Sequence, residues 1–182
     1  VIGSNSFSGS NFINYLLRKD CEVLAISRSE ETNEVFLPYK WSKGNASNLS
    51  FFQLDLNKNL EEITKKIKAF RPPYIVNFAA QGMVAESWKN PEDWYQTNLV
   101  SQVKLHDHLR KFEFIENFVN FSTPEVYGST DGWIKESYNF VPSTPYAASR
   151  AACDLHLMTF YRNYGFPVTF TRAANVFGEG QQ

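Results

Sequence analysis

The sequence predicts an α/β domain: a doubly wound parallel sheet with helices on both faces. Three observations carry this. Short apolar runs alternate with stretches of helical period along the whole chain, in a repeated β-α-β order whose crossovers are right-handed. The strand runs are apolar nearly throughout rather than alternating, as strands buried on both faces require. The length of 182 residues, with 43% hydrophobic and 20% charged residues, suits one ordinary globular domain.

The elements follow in order. Val1-Ile2 reads as the tail of a strand, and a turn rich in Gly and Ser runs from Gly3 to Ser10. Residues 11–19 place Phe12, Ile13, Leu16 and Leu17 at helical spacing. Residues 22–27 carry the buried-type run Val23-Leu24-Ala25-Ile26. Residues 28–49 are polar and loop-like, with Pro38 and Gly44 as breakers. A strand is predicted over 50–56, and a helix striped by Leu60, Ile63, Ile67 and Phe70 ends before Pro72-Pro73. Strands over 74–80 and 117–122 flank one continuous helix over 94–111. A loop holding Gly128 and Gly132 leads to a long helix from Pro145 to Tyr164, closed by Gly165. The last strand covers 168–172, and 178–182 reads as a loop. Phe112, Phe114, Phe118 and Phe121 are assigned to core packing.

Composition narrows the function. Disordered, collagen-like and disulfide-miniprotein classes are excluded. A formal charge of −1, from 18 basic and 19 acidic residues, gives no basic field for nucleic acid. No apolar run approaches the roughly 18–20 residues of a membrane span. Cys21 and Cys153 match no metal or redox spacing and read as free, buried thiols in a reducing, cytoplasmic compartment. His106 and His108 do not share a helix face, and His156 has no evident partner, so no metal site is expected.

The chemistry-bearing residues fall at the strand ends. Gly3-x-x-Ser6-x-x-Gly9 lies between a strand and a helix. There Gly3 permits a tight turn, the N–H groups at Phe7, Ser8 and Gly9 can meet a pyrophosphate, and Gly9 lets the helix approach the strand. Ser6 stands where Gly is usual and crowds the phosphate; a plain strand-helix turn explains the motif alone about as well. The second strand ends at Ser27-Arg28, without the Asp or Glu that meets a free ribose 2′-hydroxyl. A cation and hydroxyls suit a 2′-phosphate, which leans toward NADP, and a solvated loop Arg is the alternative. Asp55-Leu56 offers a carboxylate to an adenine amino group, or caps the next turn. Phe78-Ala79-Ala80-Gln81 leaves small side chains along which a cofactor can pass.

The later motifs resemble a known family. Tyr146-Ala147-Ala148-Ser149-Arg150 resembles the Tyr-x-x-x-Lys signature of the short-chain dehydrogenases/reductases. Ser122-Thr123-Pro124-Glu125-Val126-Tyr127-Gly128 and Arg172-Ala173-Ala174-Asn175-Val176-Phe177-Gly178 resemble motifs of their extended, epimerase/dehydratase branch. The resemblance runs through all 182 residues in order, and the chain looks most like nucleotide-sugar 4,6-dehydratases of the dTDP-glucose and GDP-mannose types. It implies a Rossmann-type fold, NAD or NADP as cofactor, a nucleotide-sugar substrate and a homodimer through the helices around 94–111 and 145–164. Tyr146 would take the proton of the sugar 4-hydroxyl while hydride passes to the nicotinamide. Glu125 would then remove the carbon-5 proton, water would leave carbon 6, and hydride would return there. Thr123 would bond the 4-oxygen, Arg150 would serve Tyr146 and the cofactor ribose, and Thr97 would join the cofactor set. Gly82, Thr123 and Asn175 would contact the substrate. Glu125 separates dehydratases from epimerases, which carry a small residue at that position. The physical logic is independent: a free phenol ionises near pH 10, and a cation one helical turn away favours its phenolate.

Three departures qualify the resemblance. Arg150 replaces Lys and cannot copy the compact contacts of an ammonium. Pro124 stands where the dTDP-glucose type places the Asp that protonates the leaving water. Ser6 replaces the middle Gly. A decarboxylase or epimerase on the same scaffold is the enzymatic alternative, and a non-catalytic NAD(P)-binding module is the other. One domain covers 1–182. A strand of about 5–6 residues is usual and only Val1-Ile2 precedes the first turn. Family members continue into a smaller substrate domain, so the expectation is a Rossmann domain cut at both ends, with that C-terminal part largely missing.

Overall fold

The computed structural model describes residues 1–42, 44–179 and 181; Lys43, inside the expected 28–49 loop, and Gly180 and Gln182, inside the expected terminal loop, lie outside the described residues. Five named strands run β1 (Val23–Ser27), β2 (Leu49–Gln53), β3 (Tyr74–Asn77), β4 (Asn117–Ser122) and β5 (Val168–Arg172). β1 pairs with β2, and β3 with β4 and β4 with β5, all parallel. Ile2 joins the two groups by bridging Ile26 on one side and Asn77 on the other. The order across the sheet is therefore β2, β1, the Ile2 segment, β3, β4, β5. The chain order reverses on either side of Ile2, and an α/β sheet opens a crevice at such a point.

Helices α1 (Phe7–Leu17), α2 (Pro38–Trp41), α3 (Leu60–Phe70), α4 (Pro91–Tyr95), α5 (Ser101–Leu109) and α6 (Pro145–Tyr164) cover the sheet. The larger apolar cluster gathers Ile63 and Ile67 of α3, Leu105 and Leu109 of α5 and Leu157 of α6 around Ile75 and Phe118. Phe112 and Phe114 pack against it, as expected of core residues. The smaller cluster sets Ile13 and Leu17 of α1 with Leu37 and Tyr39 against Val23 and Ala25.

Several boundaries differ from expectation, each for a local reason. α1 begins at Phe7 because the Ser6 hydroxyl caps it, accepting from Gly9 N. Pro38 starts the short helix α2 rather than breaking one, since proline suits the first helical turn. The expected 94–111 helix begins at Pro91 and is interrupted by a π-helical turn, Gln96–Val100, between α4 and α5. β2 and β3 stop at Gln53 and Asn77, short of 56 and 80. Only β1 is buried along its whole length; β4 alternates buried and half-buried residues, and edge strand β2 is half-buried or exposed. Cys153 is buried, but Cys21 is exposed, because it falls in the turn after α1 rather than in β1. The His156 ring stacks on that of buried His106, 5.5 Å between centroids.

Candidate active site at the carboxyl ends of the strands

The crevice beside Ile2 is a cavity of about 240 Å³. Gly3 and Ser6 of the first turn line it, with Ser27 and Arg28 after β1. Asp55 and Leu56 close one side; Phe78, Ala79 and Ala80 after β3, and Thr97 from the π turn, close the other. Ten residues chosen from sequence as cofactor-binding thus meet in one cavity.

The turn is built for close approach. Gly3 has φ +81°, and a Cβ there would lie 2.5 Å from Ala79 N. A Cβ on Gly9 would strike the Gly3 carbonyl oxygen. Only glycine lets α1 start this close to the strand. Ser6 Oγ donates to Gly3 O at 2.7 Å and accepts from Gly9 N at 3.1 Å. Ser6 thus takes up one helix-terminal donor. Among the described residues, Phe7 N–H and Ser8 N–H meet no protein acceptor, so both remain for an anion at the positive end of the helix. Asp55 caps the next turn, its Oδ1 accepting from Asn57 N at 2.8 Å, and the residue also lines the cavity. This set fits a dinucleotide, with phosphate donors at the helix end and small side chains along β3.

The segment after β3 is clamped by a residue that sequence reasoning missed. Asn98, fully buried in the π turn, accepts from Gln81 N at 2.7 Å and donates to Gln81 O at 3.0 Å. Its amide also donates to Ser149 Oγ at 3.0 Å, and Ser149 donates to Tyr146 O at 2.7 Å. The cavity wall is thereby tied to α6. A continuous helix, as expected for 94–111, would have hidden this; π turns often mark functional sites. Asn5, also missed, donates to Ser29 O, Ser29 Oγ and Glu30 O.

The second group of residues surrounds the end of β4. Thr123 is buried and caps the turn Pro124–Tyr127, its Oγ1 accepting from Glu125 N at 3.3 Å. Glu125 is exposed on that turn, which packs against α6. Tyr146 is half-buried in the first turn of α6, whose N-cap Thr144 accepts from Ala147 N at 3.1 Å. Arg150, one turn on, is buried; its guanidinium donates to Phe121 O, and among the described residues its Nε has no partner. Tyr146, Arg150 and Gln81 are not among the residues lining the cavity. Gly82 is exposed, and its carbonyl accepts from Trp94 Nε1 at 2.6 Å. Asn175 is exposed in the segment after β5; its neighbours Ala173, Val176 and Phe177 form a shallow groove with Phe7, Phe78 and Phe121.

Beneath this group lies a buried carboxylate. Asp154 accepts from Arg172 Nη1 and Ser122 Oγ on Oδ2, at 2.8 and 2.7 Å, and from Asn120 Nδ2 on Oδ1 at 2.9 Å. Burial pushes its carboxyl above the ordinary carboxylate range, against the pull of Arg172, Ser122, Arg150 and Asn120. Among the described residues no group of three or more His, Cys, Asp or Glu could hold a metal, and no helix is long and apolar enough to cross a membrane.

Known proteins share this arrangement. The GDP-mannose 4,6 dehydratase family model matches residues 1–182. An uncharacterised protein of Schizosaccharomyces pombe is 31% identical over all of this chain and 54% of its own length. The dTDP-glucose 4,6-dehydratase DesIV of Streptomyces venezuelae, solved with NAD and TYD bound, superposes with a TM-score of 0.81 at 28% identity, over 99% of this chain and 56% of that one. A UDP-N-acetylglucosamine 4-epimerase of Methanobrevibacter ruminantium gives 0.82 at 30% identity, over 97% and 54%. The chain spans about half the length of these relatives. With the family model matched over all of residues 1–182, the chain belongs to the GDP-mannose 4,6 dehydratase family, in the epimerase/dehydratase branch of the short-chain dehydrogenases/reductases.

Proposed function

We propose that the protein carrying this chain is an NAD(P)-dependent nucleotide-sugar 4,6-dehydratase. The observation that carries the reading is Glu125: an exposed carboxylate on the turn leaving β4, two residues after buried Thr123 and packed beside the helix bearing Tyr146. The Gly3 turn, the Phe7 and Ser8 N–H groups and the wall from Phe78 to Ala80 would hold the dinucleotide. Bound there, a nicotinamide ring supplies reversible hydride acceptance. Tyr146 Oη would take the proton of the sugar 4-hydroxyl, with Thr123 holding the oxygen. The resulting 4-keto group acidifies carbon 5, whose proton Glu125 would remove as a general base while water leaves carbon 6; hydride would then return to carbon 6 and a proton to carbon 5, giving the 4-keto-6-deoxy sugar. Pro124 has no proton to give, so Glu125 would also return the proton that the leaving hydroxyl requires. Likeness to DesIV supports dehydration, and likeness to the 4-epimerase supports the shared oxidation at carbon 4.

The test uses the full-length protein with dTDP-glucose and GDP-mannose in deuterated water. A 4-keto-6-deoxy product is expected from one of them. Glu125→Gln should keep dinucleotide affinity and lose deuterium incorporation at carbon 5. Retained exchange would overturn the role of Glu125, and release of carbon dioxide from a uronic-acid nucleotide would favour a decarboxylase.

One observation favours a second reading, a dinucleotide-binding module without turnover. The Arg150 guanidinium donates through Nη2 to Phe121 O, inside the fold, and Arg150 is not among the residues lining the cavity. Arg150→Lys separates the two: a large gain in turnover means an impaired enzyme, and continued silence with tight cofactor binding means a module.

A further inference from the structure

Arg28 stands directly after the last residue of β1, the place from which a side chain meets the ribose 2′ position of a dinucleotide. Its guanidinium does not rest there. Nη1 donates to Gln81 Oε1 at 3.2 Å, across the crevice, on the far side of the Gly3 segment. Both ends of this strap are fixed. Gln81 is held by its backbone, with N–H and C=O both bonded to the Asn98 amide. The chain after Arg28 is held by Asn5, which donates to Ser29 O and Glu30 O at 3.0 and 2.6 Å. Among the described residues no carboxylate pairs with Arg28, so its one observed side-chain partner is a neutral amide.

We infer that Gln81 is a specificity-determining residue: by holding Arg28 across the crevice, it sets how strongly the site prefers a 2′-phosphorylated dinucleotide over one with a free 2′-hydroxyl. The inference rests on the crevice holding a dinucleotide. A phosphate dianion binds a guanidinium through charge-assisted, often bidentate bonds and outcompetes an exposed amide oxygen. The Arg28–Gln81 bond must break for this, and its strength is subtracted from the gain. A free 2′-hydroxyl offers the guanidinium no comparable partner, so binding of NAD does not draw on it.

The experiment is a calorimetric titration of the full chain with NAD and with NADP. Gln81→Leu should tighten NADP by about three- to tenfold, the worth of one ordinary hydrogen bond, and leave NAD within about twofold. Gln81→Glu gives Arg28 a stronger competitor and should move the NADP-to-NAD ratio the opposite way. In an Arg28→Ala background neither change at Gln81 should alter the ratio. Equal shifts for both dinucleotides, no shift, or a ratio change that survives Arg28→Ala would each overturn the role of Gln81. If the unaltered chain binds neither dinucleotide, the dinucleotide reading itself falls, and this inference with it.

Discussion

Asp154→Asn tests the network under the candidate site most directly. The side chain of Asp154 is 1% exposed and that of its partner Arg172 14%, so their attraction is little screened. Arg150, 2% exposed, lies one helical turn from Asp154 and adds a second cation. Removing one partner of a buried pair leaves the other charge uncompensated, at a cost of about 3–5 kcal/mol. A second count starts from hydrogen bonds. The carboxylate accepts from Arg172, Ser122 and Asn120. An amide offers one acceptor oxygen and turns an NH2 group toward at least one of those donors, leaving a buried donor unmet at about 1–3 kcal/mol. Charge and hydrogen-bond losses overlap, so about 3–5 kcal/mol is expected in total. Against a domain stability of about 5–15 kcal/mol this is a large share. Urea denaturation followed by circular dichroism should show a lower midpoint with an unchanged slope. A loss below about 1 kcal/mol would refute the reasoning, because it would mean that Arg172 and Arg150 are solvated well enough not to need the carboxylate.

Two further outcomes are expected. Ser6→Gly removes the helix cap and frees Gly9 N–H. Stability should fall by only a few tenths of a kcal/mol, while dinucleotide affinity rises; weaker binding by titration would show that the Ser6 hydroxyl serves the cofactor. His106 is fully buried with neither ring nitrogen bonded among the described residues, and burial, then the neighbouring His156, holds its pKa well below the ordinary value of 6.5. The unfolded chain therefore takes up a proton that the folded one refuses, and stability should be lost as pH falls below about 6.5. His106→Leu should flatten that fall in melts between about pH 7 and pH 5; an unchanged slope would assign the acid sensitivity elsewhere.

The parallel sheet and the crevice at its strand ends were legible because apolar runs and glycines report them directly. Gly3 and Gly9 could be assigned roles from spacing alone, and the structure gives each the close backbone contact that the role needs. The interior of the 91–109 region was not legible. A π turn has no hydrophobic period of its own, and buried Trp94, Leu105 and Leu109 on either side of it recur at spacings that suit an unbroken helix. Residue type alone reads Cys21 as buried; it lies between α1 and β1, where the structure leaves it exposed. The direction of the Arg150 guanidinium was beyond sequence altogether, since Phe121 O is a backbone atom supplied by another element.

The placement of buried amides shows how the crevice can open without loss to the sheet. Beyond Asn77 the chain leaves its ladder, and the polar groups of 79–81 lose their strand neighbours. Side chains replace them. Asn77 Oδ1 accepts from Ala79 N at 3.1 Å, Gln102 Nε2 donates to Ala79 O at 3.1 Å, and the Asn98 amide meets both backbone groups of Gln81. Asn77 and Gln102 are themselves joined at 2.9 Å. Without these amides, buried N–H and C=O groups would go unpaired, and the segment would regain partners by closing onto the neighbouring strand. Leucine at 98 or 102 would satisfy helix propensity, yet would remove the support that keeps this wall splayed. Polar residues at these buried helical positions are therefore the clearest local sign, read in the fold rather than in the sequence, that the crevice is built to receive a ligand.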